Sequence, residues 1–92
     1  MGEVHVRIPG PLRPFTDGAA ELRAATGTVA EVIAAMSARH PQLLPRLLTP
    51  EGELRPYVNV FVGRDNVRDL QGLATLVVDG AVIRILPAFA GG

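Results

Sequence analysis

The two glycines at the end of the chain, Gly91 and Gly92, are the residues whose type and position best suit chemistry. Glycine lacks a Cβ and reaches backbone angles closed to other residues, so a narrow active-site tunnel can close around it. Residues 87–92 span roughly 20 Å when extended, enough to carry a carboxylate from a folded body into another protein. Pro87 stiffens the exit of this tail, and Phe89 offers one apolar anchor along it. We therefore expect the carboxylate of Gly92 to be the reactive group.

A terminal carboxylate is a poor electrophile until it is adenylated. A sulfur nucleophile can then displace AMP and leave a thiocarboxylate, which is a good nucleophile near neutral pH. The chain contains no cysteine, so the sulfur must come from another molecule. A terminal Gly-Gly taken alone is also typical of a frayed chain end or a cloning scar. That alternative is weakened because residues 86–92 follow directly from a predicted strand.

The composition excludes several classes of function. A chain of 92 residues forms one domain, and its nine basic residues balance nine acidic ones, which argues against nucleic-acid binding. All nine basic residues are arginines, so the α-amine is the only amine of this chain that an activated C-terminus could acylate. The sequence contains no signal peptide and no apolar run near the roughly 20 residues that span a bilayer. We expect a cytoplasmic protein with no nucleic-acid and no membrane partner.

No other residues have the spacing of a catalytic or metal site. His5 and His40 are the only histidines, and without cysteine they do not form a metal-ligand set. Ser37 is the only serine and lies in a predicted helix without the glycines of a nucleophile elbow. We expect no catalytic residue, no bound metal and no bound cofactor, and hence a carrier or substrate rather than an enzyme.

The N-terminal half predicts a hairpin followed by a helix. Residues 4–8 alternate apolar and polar side chains, and residues 20–25 form a second short strand with Leu22 pointing inward. Thr28 and Glu31 have the spacing of a capping box at the start of a helix. The apolar stripe of that helix consists of Val29, Val32, Ile33 and Met36, and Pro41 ends it.

The C-terminal half predicts strands. Four leucines between residues 43 and 48 suggest one or two helical turns that close the bottom of the core. Residues 57–62 are rich in β-branched and aromatic side chains and form the strongest strand, with its three valines facing inward. Residues 66–68 form a short strand, and residues 82–86 form the last strand.

This order of elements indicates an α+β protein with a mixed sheet packed on one face by a single main helix. That is the β-grasp, or ubiquitin-like, arrangement, in which the first and last strands can lie parallel at the centre of the sheet. We assign residues 1–86 to this domain and residues 87–92 to a flexible C-terminal tail.

The sequence resembles the ubiquitin-like sulfur carriers of the ThiS/MoaD family. The resemblance is carried by Val58-Asn59 in the third strand, Asp79-Gly80 before the last strand, and the ending Leu86-Pro87-Ala88-Phe89-Ala90-Gly91-Gly92. It is close over the C-terminal part of the chain and looser over the rest. The combination of these motifs is specific, although each one alone is weak.

The resemblance implies three partners: an ATP-dependent adenylating enzyme of the ubiquitin-activating type, a sulfur donor and a sulfur-accepting synthase. Gly92 would carry AMP transiently and then the thiocarboxylate sulfur. Within the family, the ending and the stretch Gly72-Leu73-Ala74-Thr75 look most like carriers for a pyridoxal-phosphate-dependent cysteine synthase. There the thiocarboxylate attacks an aminoacrylate made from phosphoserine, and a metalloprotease releases cysteine.

The small subunit of molybdopterin synthase has a very similar ending, and a ubiquitin-like protein modifier would share the fold and the tail, so both alternatives stay open.

Docking of these partners is expected to involve residues around the tail. Arg64 and Arg68 could meet acidic residues of the activating enzyme and steer its encounter. They could equally be solvated turn residues. An exposed apolar residue of the sheet, either Phe61 or Ile85, would provide the centre of the docking patch, together with Pro87 and Phe89 of the tail.

Overall fold

The structure is a computed structural model that describes residues 2–87 of the chain. It begins with strand β1 (Glu3–Arg7), which pairs antiparallel with β2 (Glu21–Ala25). The predicted hairpin is therefore confirmed, and Leu22 is buried as expected. The proline-rich connection contains a 3-10 helix, Gly10–Thr16, where only a loop was expected. It closes at Asp17, whose φ of 55° lies in the left-handed region that Asp tolerates better than most residues.

The main helix, α1 (Val29–Arg39), begins at the predicted capping box. The amide of Glu31 donates to Oγ1 of Thr28 over 3.1 Å, and the amide of Thr28 donates to Oε1 of Glu31 over 2.8 Å. The four residues of the predicted apolar stripe are all buried. The helix ends at Arg39, two residues before Pro41, which disfavours helical geometry at His40.

A second, short helix, α2 (Leu44–Leu47), follows. Leu43 and Leu47 are fully buried, so this segment closes the core as the leucines predicted. Leu44 is exposed and Leu48 is half-buried, so only two of the four leucines lie fully in the core.

Five further strands follow β2 along the described chain. They are β3 (Gly27–Thr28), β4 (Val58–Val62), β5 (Asp65–Asn66), β6 (Leu76–Val77) and β7 (Val82–Pro87). Two of them, β3 and β6, were not predicted. The short strand expected at residues 66–68 is wrong beyond Asn66, because residues 67–69 form a single-turn 3-10 helix instead. A second such turn, Gly72–Ala74, follows before β6. β3 and β6 pair antiparallel in a small second sheet.

The main sheet has the strand order β2-β1-β7-β4-β5. β1 and β7 are parallel neighbours, and the other pairs are antiparallel. α1 packs against one face of this sheet, so the predicted β-grasp fold is confirmed. The last strand extends through Pro87, one residue beyond the expected domain boundary at residue 86.

The core lies between α1 and the inner face of the sheet. Each long strand contributes alternate side chains to it, as the period of two requires. From the sheet, the buried apolar residues are Val4, Val6, Leu22, Ala24, Val58, Val60, Ile83 and Ile85.

Candidate functional site at the exit of the C-terminal tail

Strand β7 leads directly to the tail and has a partner strand on each side. β1 pairs with it from Val82 to Arg84, and β4 pairs with it from Ile83 to Pro87. The last three residues of β7 therefore pair with β4 alone and run past the end of β1. A central strand gives the start of the tail a fixed position and direction.

Pro87 fits the end of this strand because of the hydrogen-bond pattern there. The amide of Gly63 donates to the carbonyl of Val82 over 3.0 Å, so these two residues form a hydrogen-bonded pair between the chains of β4 and β7. Along an antiparallel ladder, hydrogen-bonded and non-hydrogen-bonded residue pairs then alternate. Pro87 lies opposite Val58 in a non-bonded pair, so its nitrogen faces away from β4. The missing N–H of proline thus costs no bond to β4, and β1 does not reach this far.

Arg68 supports the strand that Pro87 pairs with. β5 is only two residues long, so it leaves the start of β4 without a neighbour on that side. The Nη2 of Arg68 donates to the carbonyls of Arg55 and Val58, each over 2.7 Å. The Arg68 amide in turn donates to Oδ1 of Asn66 over 3.0 Å. Arg68 therefore takes the place of a missing strand and holds the end of β4 opposite Pro87.

We expect Arg68→Gln to destabilise the fold by about 1 kcal/mol, because two carbonyls lose a charged donor that water replaces only in part. Urea unfolding of the wild type and the variant measures this difference. Arg64→Gln is the matched control, since the Arg64 side chain is exposed and has no polar partner among residues 2–87. Equal stability of the two variants would contradict the supporting role of Arg68.

The outer face of the sheet presents apolar and basic side chains next to the tail exit. Phe61 lies directly opposite Arg84, whose guanidinium carbon is 5.8 Å from the centre of the ring. Leu86 is 45% exposed and lies opposite Asn59 on the same face. Val82 is exposed on the same face at the start of β7, at the other end of the strand from Pro87. This face offers an apolar centre with a cation beside it.

The structure separates the residues that were predicted to dock partners. Phe61 is half-buried on the outer face, whereas Ile85 is only 2% exposed, so Ile85 is excluded from a docking patch. Leu86, which was not predicted as a docking residue, is the exposed apolar residue next to Ile85 in the chain, on the outer face. Arg64 lies exposed on the turn after β4, and Arg68 is exposed but anchored to main-chain carbonyls. Phe89, Gly91 and Gly92 lie outside the described residues.

The two histidines each lie beside a carboxylate, and Ser37 is buried in α1 with no hydrogen-bond partner for its hydroxyl among residues 2–87. Nδ1 of His5 lies 3.2 Å from a carboxylate oxygen of Glu21, and Nδ1 of His40 lies 3.8 Å from one of Asp17. Within residues 2–87, His, Asp and Glu side chains form no group of three that could hold a metal ion. In the same range, no helix has the length and apolarity required to cross a membrane.

The described residues form a ubiquitin-like, β-grasp domain whose last strand lies in the main sheet. The ThiS family matches residues 6–92, so the chain belongs to the ThiS family. The sulfur carrier protein CysO of Mycobacterium tuberculosis is 41% identical over 91 residues, covering 97% of this chain and 98% of that protein.

Solved structures extend this similarity. CysO in the Amycolatopsis orientalis BexX/CysO complex is 40% identical and superimposes with a TM-score of 0.90, over 97% of this chain and 99% of that one. The small archaeal modifier protein 1 of Methanosarcina acetivorans is 31% identical with a TM-score of 0.84, over 100% of this chain and 98% of that one. These relatives support a sulfur carrier function of the CysO type.

Proposed function

We propose that this chain carries sulfur as a thiocarboxylate on Gly92. The observation that carries the proposal is the position of β7, a central strand that ends at Pro87, five residues before the terminal Gly-Gly carboxylate. The folded body fixes where the tail starts, and the remaining residues provide reach. The body then acts as a handle for recognition, while all the chemistry occurs at the chain end.

Two steps load the sulfur. A carboxylate oxygen of Gly92 attacks the α-phosphorus of ATP on an activating enzyme, and pyrophosphate leaves. A sulfur nucleophile then attacks the acyl carbon, and AMP leaves with the electron pair of the broken carbon–oxygen bond. The sulfur comes from a separate donor, since the chain has no thiol.

Conversion in a purified system tests this proposal. The full chain is incubated with ATP, sulfide and the ubiquitin-activating-type enzyme of its own organism, and its intact mass is measured. The expected product has one oxygen replaced by sulfur. An unchanged mass, with the enzyme shown to be active in ATP–pyrophosphate exchange, would reject the proposal.

The acceptor we propose is a pyridoxal-phosphate-dependent cysteine synthase, because the relatives named CysO match nearly the full length of the chain. Transfer of the thiocarboxylate sulfur at this synthase leaves the sulfur bonded to a three-carbon unit. Rearrangement then joins cysteine to Gly92 through an amide, and a metalloprotease releases it. A molybdopterin synthase would consume the same thiocarboxylate without a cysteine adduct, so that adduct distinguishes the two acceptors.

A protein modifier is the second candidate, favoured by the full-length likeness to a small archaeal modifier protein. The same adenylated Gly92 would then acylate lysines of other proteins. Isopeptide-linked ladders in extracts of the native host would support the modifier. A free thiocarboxylate without ladders would support the carrier.

Arg64 is the better test of electrostatic steering, because Arg68 also supports β4. We expect Arg64→Glu to raise the KM of the activating enzyme for this chain several-fold at low ionic strength. The increase should shrink near 0.15 M salt, where the Debye length is ~8 Å. Arg23→Glu makes the same charge change on β2, at the far edge of the sheet, and is the matched control. Equal KM values for the two variants would remove Arg64 from the docking surface.

A further inference from the structure

Two arginines without a carboxylate partner line one pocket beside the tail exit. The pocket holds about 530 Å³ and is formed by Gln42, Pro45, Arg46, Arg55 and Tyr57. Within residues 2–87, no carboxylate lies within ion-pair distance of either guanidinium. A pocket with two such guanidiniums and no acidic side chain among its described lining residues favours an anionic ligand.

Both guanidiniums are held in place by the fold. Nε of Arg55 donates to the carbonyl of Pro45 over 2.7 Å, which leaves its two terminal nitrogens without a partner among the described residues. The guanidinium carbon of Arg46 lies 4.3 Å from the centre of the Phe15 ring, a cation–π contact that restricts the side chain. Ordering these long side chains in advance lowers the entropy that binding would otherwise cost.

An apolar groove adjoins this pocket and shares Pro45 and Arg55 with it. The groove is lined in addition by Leu44, Leu48 and Pro50. Leu44 is 39% exposed although its neighbours Leu43 and Leu47 are fully buried. Glu51 and Glu53 follow on the next turn, but neither lines the pocket or the groove. The basic pocket and the apolar groove together form one continuous surface, which we call the 42–57 surface.

We propose that the 42–57 surface docks a segment of a partner protein in which carboxylates flank an apolar side chain. The carboxylates would bind Arg46 and Arg55, and the apolar side chain would lie against Leu44 and Leu48. A small free anion would use the basic pocket only and would leave the groove exposed to water. A protein segment fills both halves, which is why we favour it over a small anion.

The 42–57 surface adjoins the start of β4, the strand that pairs with the end of β7. Arg55 and Tyr57 immediately precede β4, and Val58 lies opposite Pro87. The surface is nevertheless separate from the outer face of the sheet, which presents Phe61 and Leu86. Binding at the 42–57 surface does not depend on whether Gly92 becomes a thiocarboxylate.

NMR titration of the full, isotope-labelled chain tests the proposal. The probes are a capped pentapeptide of alternating Asp and Leu residues, the same peptide with Asn in place of Asp, and inorganic phosphate. We expect the acidic peptide to shift the Nε–H signals of Arg46 and Arg55 and the methyl signals of Leu44 and Leu48. The Asn peptide should bind at least about fivefold more weakly, as expected for the loss of exposed ion pairs.

Variants complete the test. Arg46→Glu should weaken the acidic peptide by about fivefold or more, whereas Arg23→Glu, with the same charge change on β2, should leave its affinity within about twofold. Arg46→Gln serves in place of Arg46→Glu if the latter alters the spectrum of the free protein. Equal binding of the Asp and Asn peptides would overturn the proposal, as would the absence of shifts. If the acidic peptide shifts only the arginine signals, and by the same amounts as phosphate does, the surface is a small-anion site and the proposal is overturned.

Discussion

A chain extended by one alanine after Gly92 is expected to lose essentially all conversion to the thiocarboxylate. The extension moves the reacting carboxylate by about one residue length, roughly 3.5 Å, and places a Cβ where glycine alone was accommodated. Misplacing a reacting group by about 1 Å can already cost about 10²-fold in rate. Intact mass after incubation with ATP, sulfide and the activating enzyme measures the effect.

The matched control adds one alanine before Met1. β1 begins at Glu3 and runs parallel to β7, so the start of β1 lies at the opposite end of the sheet from Pro87. It should leave conversion unchanged. Both extended chains should unfold at the same urea concentration as the wild type, because neither change touches the core. Normal conversion of the C-terminally extended chain would contradict a reactive chain end.

Ile33→Ala is expected to destabilise the protein by about 2–5 kcal/mol. Ile33 is 2% exposed on the face of α1 that packs against the sheet, so the truncation removes buried methyl groups and leaves a cavity. A small domain with a thin core has few other contacts to compensate. Urea unfolding monitored by circular dichroism provides the free energy.

Leu76→Ala is the matched control for this truncation. Leu76 is 72% exposed on β6, so its shortening should change the free energy of unfolding by no more than about 0.5 kcal/mol. A loss at Ile33 no larger than the loss at Leu76 would contradict the packing of α1 on the sheet.

Local patterns predicted the elements with strong periodicity. The capping box at Thr28 and Glu31 and the stripe from Val29 to Met36 marked α1 because both depend on residues three or four positions apart. The valines of β4 marked its inner face because residues two positions apart in a strand lie on the same side of the sheet. In contrast, β3 and β6 are two residues long, and their pairing depends on tertiary contacts that no local pattern contains.

The surroundings of the tail were harder to predict. The burial of Ile85 could have been predicted from the sequence. Arg84 lies between Ile83 and Ile85, and it faces water only if both isoleucines face the core. No sequence pattern could have predicted the role of Arg68, because its hydrogen-bond partners are main-chain carbonyls 10 and 13 residues away. Carbonyl groups occur at every residue, so only the folded geometry selects which two an arginine reaches.

The intact mass of the chain purified from its native host without alkylating agents shows whether Gly92 carries sulfur. We expect a fraction in which sulfur replaces one oxygen, located in the peptide that ends in Gly92. A second fraction heavier by one cysteine residue would identify the acceptor as a cysteine synthase. Only the unmodified mass, unchanged after addition of ATP, sulfide and an active activating enzyme, would contradict the account.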